Sequence, residues 1–280
     1  MHILKNLLML PFVGVFFVFQ NAETKTAIES CTGTDGIYSD GTFEVGVTRF
    51  SPIDPSGKLV LVMPPTGGST RIDLSYGQSF CQRGIAAIVV NSWSDDQEYN
   101  LELGIHDRLY RRAQHAIDIV LSHSSEKHVG ILGTSLGASH AAIASMRNPR
   151  ISSIFLIVGG APISSILATS DQQILSEGKE KRFKIYGFRS TTEYEEALKK
   201  VIPFEPLSMK PVRSMLPHLG MAISNNDGTV PTRLQLNLKR AWVPTLVLES
   251  SLGHIGTILK TWLCYQNQIV HFFEKNLREP

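Results

Sequence analysis

The 280-residue chain has three cysteines, no long run of like charge, and no apolar stretch beyond the thirteen residues 7–19. Each shortage excludes something. Three cysteines without a C-x-x-C or a Cys/His cluster fit no structural metal site and cannot staple a mini-protein. With 27 basic against 25 acidic side chains there is no electrostatic footprint for nucleic acid. A net charge of +2 and 42% hydrophobic residues exclude disorder. The 22 Gly and 14 Pro have no period, so a collagen-like chain is excluded as well. No internal repeat, low-complexity tract or Pro/Ser-rich linker divides the sequence. What remains is a globular protein with one large core, suited to a small-molecule substrate.

The apolar stretch 7–19 is preceded by His2 and Lys5 and followed by polar residues. A membrane span needs ~18 apolar residues or more, so this layout reads as a secretory signal. The expectation is a signal peptide over 1–22, cleaved after one of residues 22–27, with a mature chain 23–280. An uncleaved N-terminal anchor is the alternative. Export, periplasmic or secreted, permits one disulfide and leaves a thiol over. Cys31 and Cys81 can pair, although spacing alone does not establish it, and Cys264, on an apolar helix, is expected to be a buried thiol.

Short apolar runs alternate with amphipathic stretches along the rest of the chain. Residues 43–50 alternate like a half-buried strand. Residues 58–63, 85–90, 129–132, 153–158, 219–223 and 245–249 are apolar on both faces, as strands between two helix layers should be. Ile105, Leu109, Ala113, Ala116, Ile117 and Val120 form a helical stripe, with Arg111, Arg112, Gln114 and His115 off it. A second stripe holds Ile258, Leu259, Trp262, Leu263, Ile269, Val270 and Phe273. The alternation predicts an α/β fold with a mainly parallel sheet covered on both faces, and ligands at the carboxyl ends of its strands.

Chemistry-bearing residues gather there. After 129–132 comes Gly133-Thr134-Ser135-Leu136-Gly137, then a small-residue helix over 138–145. A serine between strand and helix projects its hydroxyl above the sheet, and the N–H of Leu136 then points at the reacting carbonyl oxygen. After 58–63 comes Pro-Pro-Thr66-Gly67-Gly68, where Thr66, with Gly67 behind it, is the expected second oxyanion donor. Asp227 follows 219–223 in a Ser-Asn-Asn-Asp-Gly loop. His254 lies between the last strand and the last helix, alone among nine histidines in that setting. His106, His115 and His123 lie on or beside a helix read as exposed, and His271 on the last helix.

Nucleophile, acid, histidine is the chain order of the α/β-hydrolases. With GTSLGA at 133–138, NNDGTVP at 225–231 and LGHIG at 252–256, residues 40–277 resemble that superfamily, and more specifically its dienelactone-hydrolase, bacterial esterase and prolyl-oligopeptidase-like branches. Glu205-Pro206 stands where those branches often carry Asp-Pro, and the loop at 64–68 lacks the common His-Gly. The resemblance implies the α/β-hydrolase fold and a cap over the site from 163–215, a stretch that holds the aromatics Phe183, Tyr186, Phe188, Tyr194 and Phe204 and whose residues would shape the acyl or leaving-group pocket. It implies a carboxylesterase-like serine hydrolase with the triad Ser135, Asp227 and His254, acting on a small acyl substrate with no metal or organic cofactor. A peptidase or lipase of the same fold and a non-catalytic binding protein are the alternatives.

Overall fold

The computed structural model describes residues 31–92, 101–208 and 218–277. The expected signal peptide and the stretch 209–215 of the expected cap lie outside them. Strands β1 (Thr34–Ser39), β2 (Glu44–Phe50), β3 (Lys58–Met63), β4 (Ala86–Ser92), β5 (His128–Thr134), β6 (Ile151–Ile157), β7 (His218–Ser224) and β8 (Leu246–Ser250) form one sheet in the order β1-β2-β4-β3-β5-β6-β7-β8. Pairing is antiparallel from β1 to β4 by way of β2 and parallel from β4 onward.

Side chains alternate across these strands, and both sides of the central ones are apolar. Leu59, Leu61 and Met63 of β3 join one core cluster, whereas Val60 and Val62 join the other. The first cluster is closed by α2 (Ile105–Ser122), α3 (Leu136–Arg147) and α7 (Thr232–Trp242). The second is closed by α1 (Arg71–Cys81) and α8 (Gly253–Asn276). Three further helices, α4 (Ile163–Thr169), α5 (Gln173–Tyr186) and α6 (Thr191–Val201), follow β6. They form a third, smaller core with Tyr110 and Ile143.

Two elements carried no apolar signal strong enough to predict them. Strand β1 is an edge strand exposed along most of its length, held by its ladder to β2 and by Tyr38, whose ring stacks on His123. Helix α1 begins at a local capping box: Thr70 Oγ1 accepts the Ile72 N–H, and Asp73 Oδ2 accepts the Thr70 N–H.

Cys31 and Cys81 form a disulfide, both side chains buried, which ties the start of the described chain to the end of α1. For a separation of 50 residues the chain-entropy relation gives about 4 kcal/mol. Replacing both by Ser should lower the unfolding free energy by about 2–4 kcal/mol in urea titrations. An unchanged midpoint would contradict that role. Cys264 is exposed, against expectation. The face of α8 toward the sheet carries Ile258, Thr261, Ile269 and Phe273, whereas Leu259, Leu263 and Cys264 turn outward.

Candidate active site

Ser135 sits between β5 and α3 with φ 55° and ψ −115°, a left-handed geometry for a residue with a side chain. Such strain costs about 1–3 kcal/mol and must be enforced by its surroundings. The Ser135 N–H donates to Ile157 O at 2.8 Å, and the Ala138 N–H donates back to Ser135 O at 3.0 Å. The flanking glycines allow the turn to close. A Cβ on Gly133 would lie 2.7 Å from Ala138 Cα, and one on Gly137 would overlap the carbonyl oxygens of Met63 and Pro64.

The three residues expected to act together meet at this edge. Ser135 Oγ lies 3.0 Å from His254 Nε2, and His254 Nδ1 lies 2.8 Å from Asp227 Oδ2. With Nδ1–H donating to the carboxylate, Nε2 keeps its lone pair toward the serine hydroxyl. His254 stands in the first turn of α8, immediately after Gly253 at φ +73°. The Asp227 side chain is fully buried. Its Oδ1 accepts the Val230 N–H at 2.9 Å, and its Oδ2 accepts Gln235 Nε2–H at 2.7 Å.

Gln235 is the residue the sequence analysis missed. Wholly buried on α7, it also donates to Val230 O and accepts the Ser224 N–H, bracing both ends of the loop that carries Asp227. Its signal is a glutamine within the apolar face of Leu234, Leu238 and Trp242.

Leu136 opens α3, so its N–H is among the first four that no helical carbonyl can satisfy. Leu136 lines a cavity of about 240 Å³, whose wall Thr66 and Gly67 also line. Gly67 and the adjoining Gly68 have φ of +96° and +94°, and a Cβ on Gly68 would lie 2.5 Å from Asn91 O. The expected oxyanion residues therefore share one wall with Ser135.

Helices α4 and α5 complete that wall with Ile163, Ile166, Leu167, Ile174, Leu175 and Arg182. Of the aromatics in this stretch, Phe183, Phe188 and Tyr194 pack on one another, with ring centroids 5.5–5.9 Å apart. They form a core for these helices, while aliphatic side chains together with Lys181 and Arg182 line the cavity.

His106 corrects the reading of α2 as an exposed setting for histidine. It is buried and lines the cavity. It also falls on the apolar stripe, three residues before Leu109 and seven before Ala113. Gln114, expected off the stripe, is buried too and donates to His140 O. Burial, with Arg182 nearby, pushes the His106 imidazole down to about 3, and burial alone does the same to His140.

Glu205 Oε2 accepts the Ile163 N–H at 2.8 Å and so holds the start of α4. Burial raises its carboxyl from 4.5 to about 7, against the Ile163 and Leu207 amides and Lys199. As pH rises across that window the unfolded chain ionises first, so this group's contribution to stability is lost with rising pH. Glu205→Gln should therefore gain about 1–3 kcal/mol relative to wild type between about pH 4 and about pH 8 in urea titrations. A difference that ignores pH would contradict the assignment.

No family model matches the chain, and no curated protein does. Solved structures do. An acylaminoacyl peptidase from Pyrococcus horikoshii superposes with a TM-score of 0.66 at 14% identity, over 94% of this chain and 44% of that one. The dienelactone hydrolase from Anabaena variabilis gives 0.60 at 13% identity, over 89% of this chain and all of that one. An esterase from Pyrococcus furiosus gives 0.59 at 13%, over 93% and 98%. The chain thus spans less than half of the peptidase and essentially the whole of the other two. Strand order, the serine turn between β5 and α3 and these superpositions agree: the chain has the α/β-hydrolase fold.

Proposed function

We propose that the protein is an exported serine hydrolase that cleaves a carboxylic ester through an acyl-enzyme. The observation that carries the reading is the hydrogen-bonded chain Ser135–His254–Asp227 beside a cavity at the carboxyl edge of the sheet. His254 Nε2 takes the Ser135 proton as Oγ attacks the carbonyl carbon, and Asp227 stabilises the imidazolium that forms. The oxyanion is held by the Leu136 N–H, with Thr66 or Gly67 donating from the opposite loop. His254 then protonates the departing alkoxide. Water, deprotonated by the same imidazole, releases the acid and restores Ser135.

Helices α4 and α5 act as the cap. With about 240 Å³ to fill, short acyl groups suit the cavity better than long chains. The disulfide supports export, because such bonds persist in oxidising compartments. N-terminal sequencing of native protein from the exported fraction should begin between residues 23 and 28, and a retained Met1 would refute cleavage.

A panel of p-nitrophenyl esters of increasing chain length, beside aminoacyl-p-nitroanilides, tests the substrate class. Wild type should hydrolyse the short esters fastest, and Ser135→Ala should hydrolyse none. Anilides turned over faster than every ester would favour a peptidase. Activity rising steadily with chain length would favour a lipase.

A further inference from the structure

The cavity beside Ser135 presents mostly apolar surface, yet its wall also carries polar side chains, among them His106, Tyr110, His140, Lys181 and Arg182. His106, in the first turn of α2, is 8% exposed, and its buried Nε2 has no hydrogen-bond partner. An unmade hydrogen bond at a buried polar atom costs about 1–3 kcal/mol, and such atoms are rare in folded proteins. Here the atom belongs to a residue lining the site. Tyr110, one helical turn on, and Arg182 from α5 line the same cavity. Arg182 is oriented by Nε–H donating to Leu101 O at 3.1 Å and by Nη1–H donating to Tyr194 Oη at 3.4 Å. The imidazole stays neutral through the ordinary pH range, and so carries one N–H donor. With its proton on Nε2, a neutral imidazole beside a guanidinium offers donors, which call for an oxygen acceptor.

The side of the reaction this cavity serves also follows from its walls. It is lined by Ser135, Leu136, Thr66 and Gly67, whereas His254, which protonates the departing alcohol, is not part of its lining. On the serine-hydrolase reading, the acyl group is assigned to this cavity.

We infer that His106 is a specificity-determining residue whose ring N–H donates to an oxygen carried on the acyl chain of the substrate. This rests on the serine-hydrolase reading above and names the substrate class within it: esters of oxygen-bearing short-chain acids, in preference to plain alkanoates. A keto or a carboxylate oxygen satisfies the same donor.

The test compares three p-nitrophenyl esters of matched length: pentanoate, 4-oxopentanoate and the monoester of glutarate. Wild type should show kcat/KM higher by about tenfold for at least one oxygen-bearing ester over pentanoate, the fold-change of one good hydrogen bond. Which of the two gains tells a neutral acceptor from an anionic one. His106→Phe should bring that ratio to about one or below, chiefly by losing the oxygen-bearing ester, whereas His106→Gln, which keeps a donor, should retain part of it. Fluorophosphonate labelling of Ser135 in each variant reports a folded site independently. A wild-type preference for pentanoate over both, or an unchanged ratio in the two variants, overturns the assignment. The serine-hydrolase reading fails differently, with no ester hydrolysed and no label on Ser135.

Discussion

Asp227→Asn should reduce kcat on the order of 10⁴-fold while the protein stays folded. The reason lies in the donors that surround the carboxylate. Oδ2 accepts from both His254 Nδ1 and Gln235 Nε2, and Oδ1 accepts the Val230 N–H. An asparagine must place its NH₂ at one of these two positions. At Oδ2 it would face two donors and, to satisfy it, the imidazole would move its proton to Nε2. The lone pair that takes the serine proton would then be gone. At Oδ1 the NH₂ would oppose the Val230 N–H and loosen the loop that positions the acid. Either arrangement removes the base, the first by tautomer and the second by displacement. Steady-state hydrolysis of a short p-nitrophenyl ester, with thermal unfolding as the folding control, measures the loss. Asn226→Ala, one residue away, should cost far less. Near-normal turnover by Asp227→Asn would mean that the acid lies elsewhere.

Gly137→Ala should cost about 3 kcal/mol of stability or more, with a deeper loss of activity than of stability. The added Cβ would overlap the carbonyl oxygens of Met63 and Pro64, which are backbone atoms at the end of β3 and cannot rotate away. Relief requires α3 to move off β3, and Leu136, the proposed oxyanion donor, rides at the start of that helix. Urea unfolding and hydrolysis measured on the same sample separate the two losses. A variant with wild-type stability and activity would contradict the close approach of α3 to β3.

The central strands and the meeting of Ser135, Asp227 and His254 at one sheet edge were legible in the sequence because each follows from a local pattern with a single physical meaning. Strands apolar on both faces lie between two helix layers, and β3 to β8 do so. Ser135, Asp227 and His254 were found by their place after those strands, since this fold collects chemistry at that edge. Strand β1 was not legible, because an exposed edge strand held by backbone bonds has no apolar pattern to read. His106 was misplaced although it lies on the α2 stripe: histidine was weighed as a polar residue, and its cover comes from a distant part of the chain. Gln235 acts through hydrogen bonds to β7 and the loop that carries Asp227, and Gln114 is covered by α3. Neither partnership has a local signature. The outward turn of Leu259, Leu263 and Cys264 shows the opposite error, in which apolar content on α8 was taken for burial.

The account stands most directly on Ser135 becoming acylated. Rapid mixing of the purified protein with a short p-nitrophenyl ester, quenched in acid for intact-mass and peptide mapping, measures this in one experiment. The account predicts a p-nitrophenolate burst of about one equivalent per chain when deacylation is slower than acylation, and a mass increase equal to the acyl group on the peptide containing Ser135. Both should be absent in Ser135→Ala. Hydrolysis that continues with Ser135 unmodified under every quench time, or in Ser135→Ala at the wild-type rate, would contradict it.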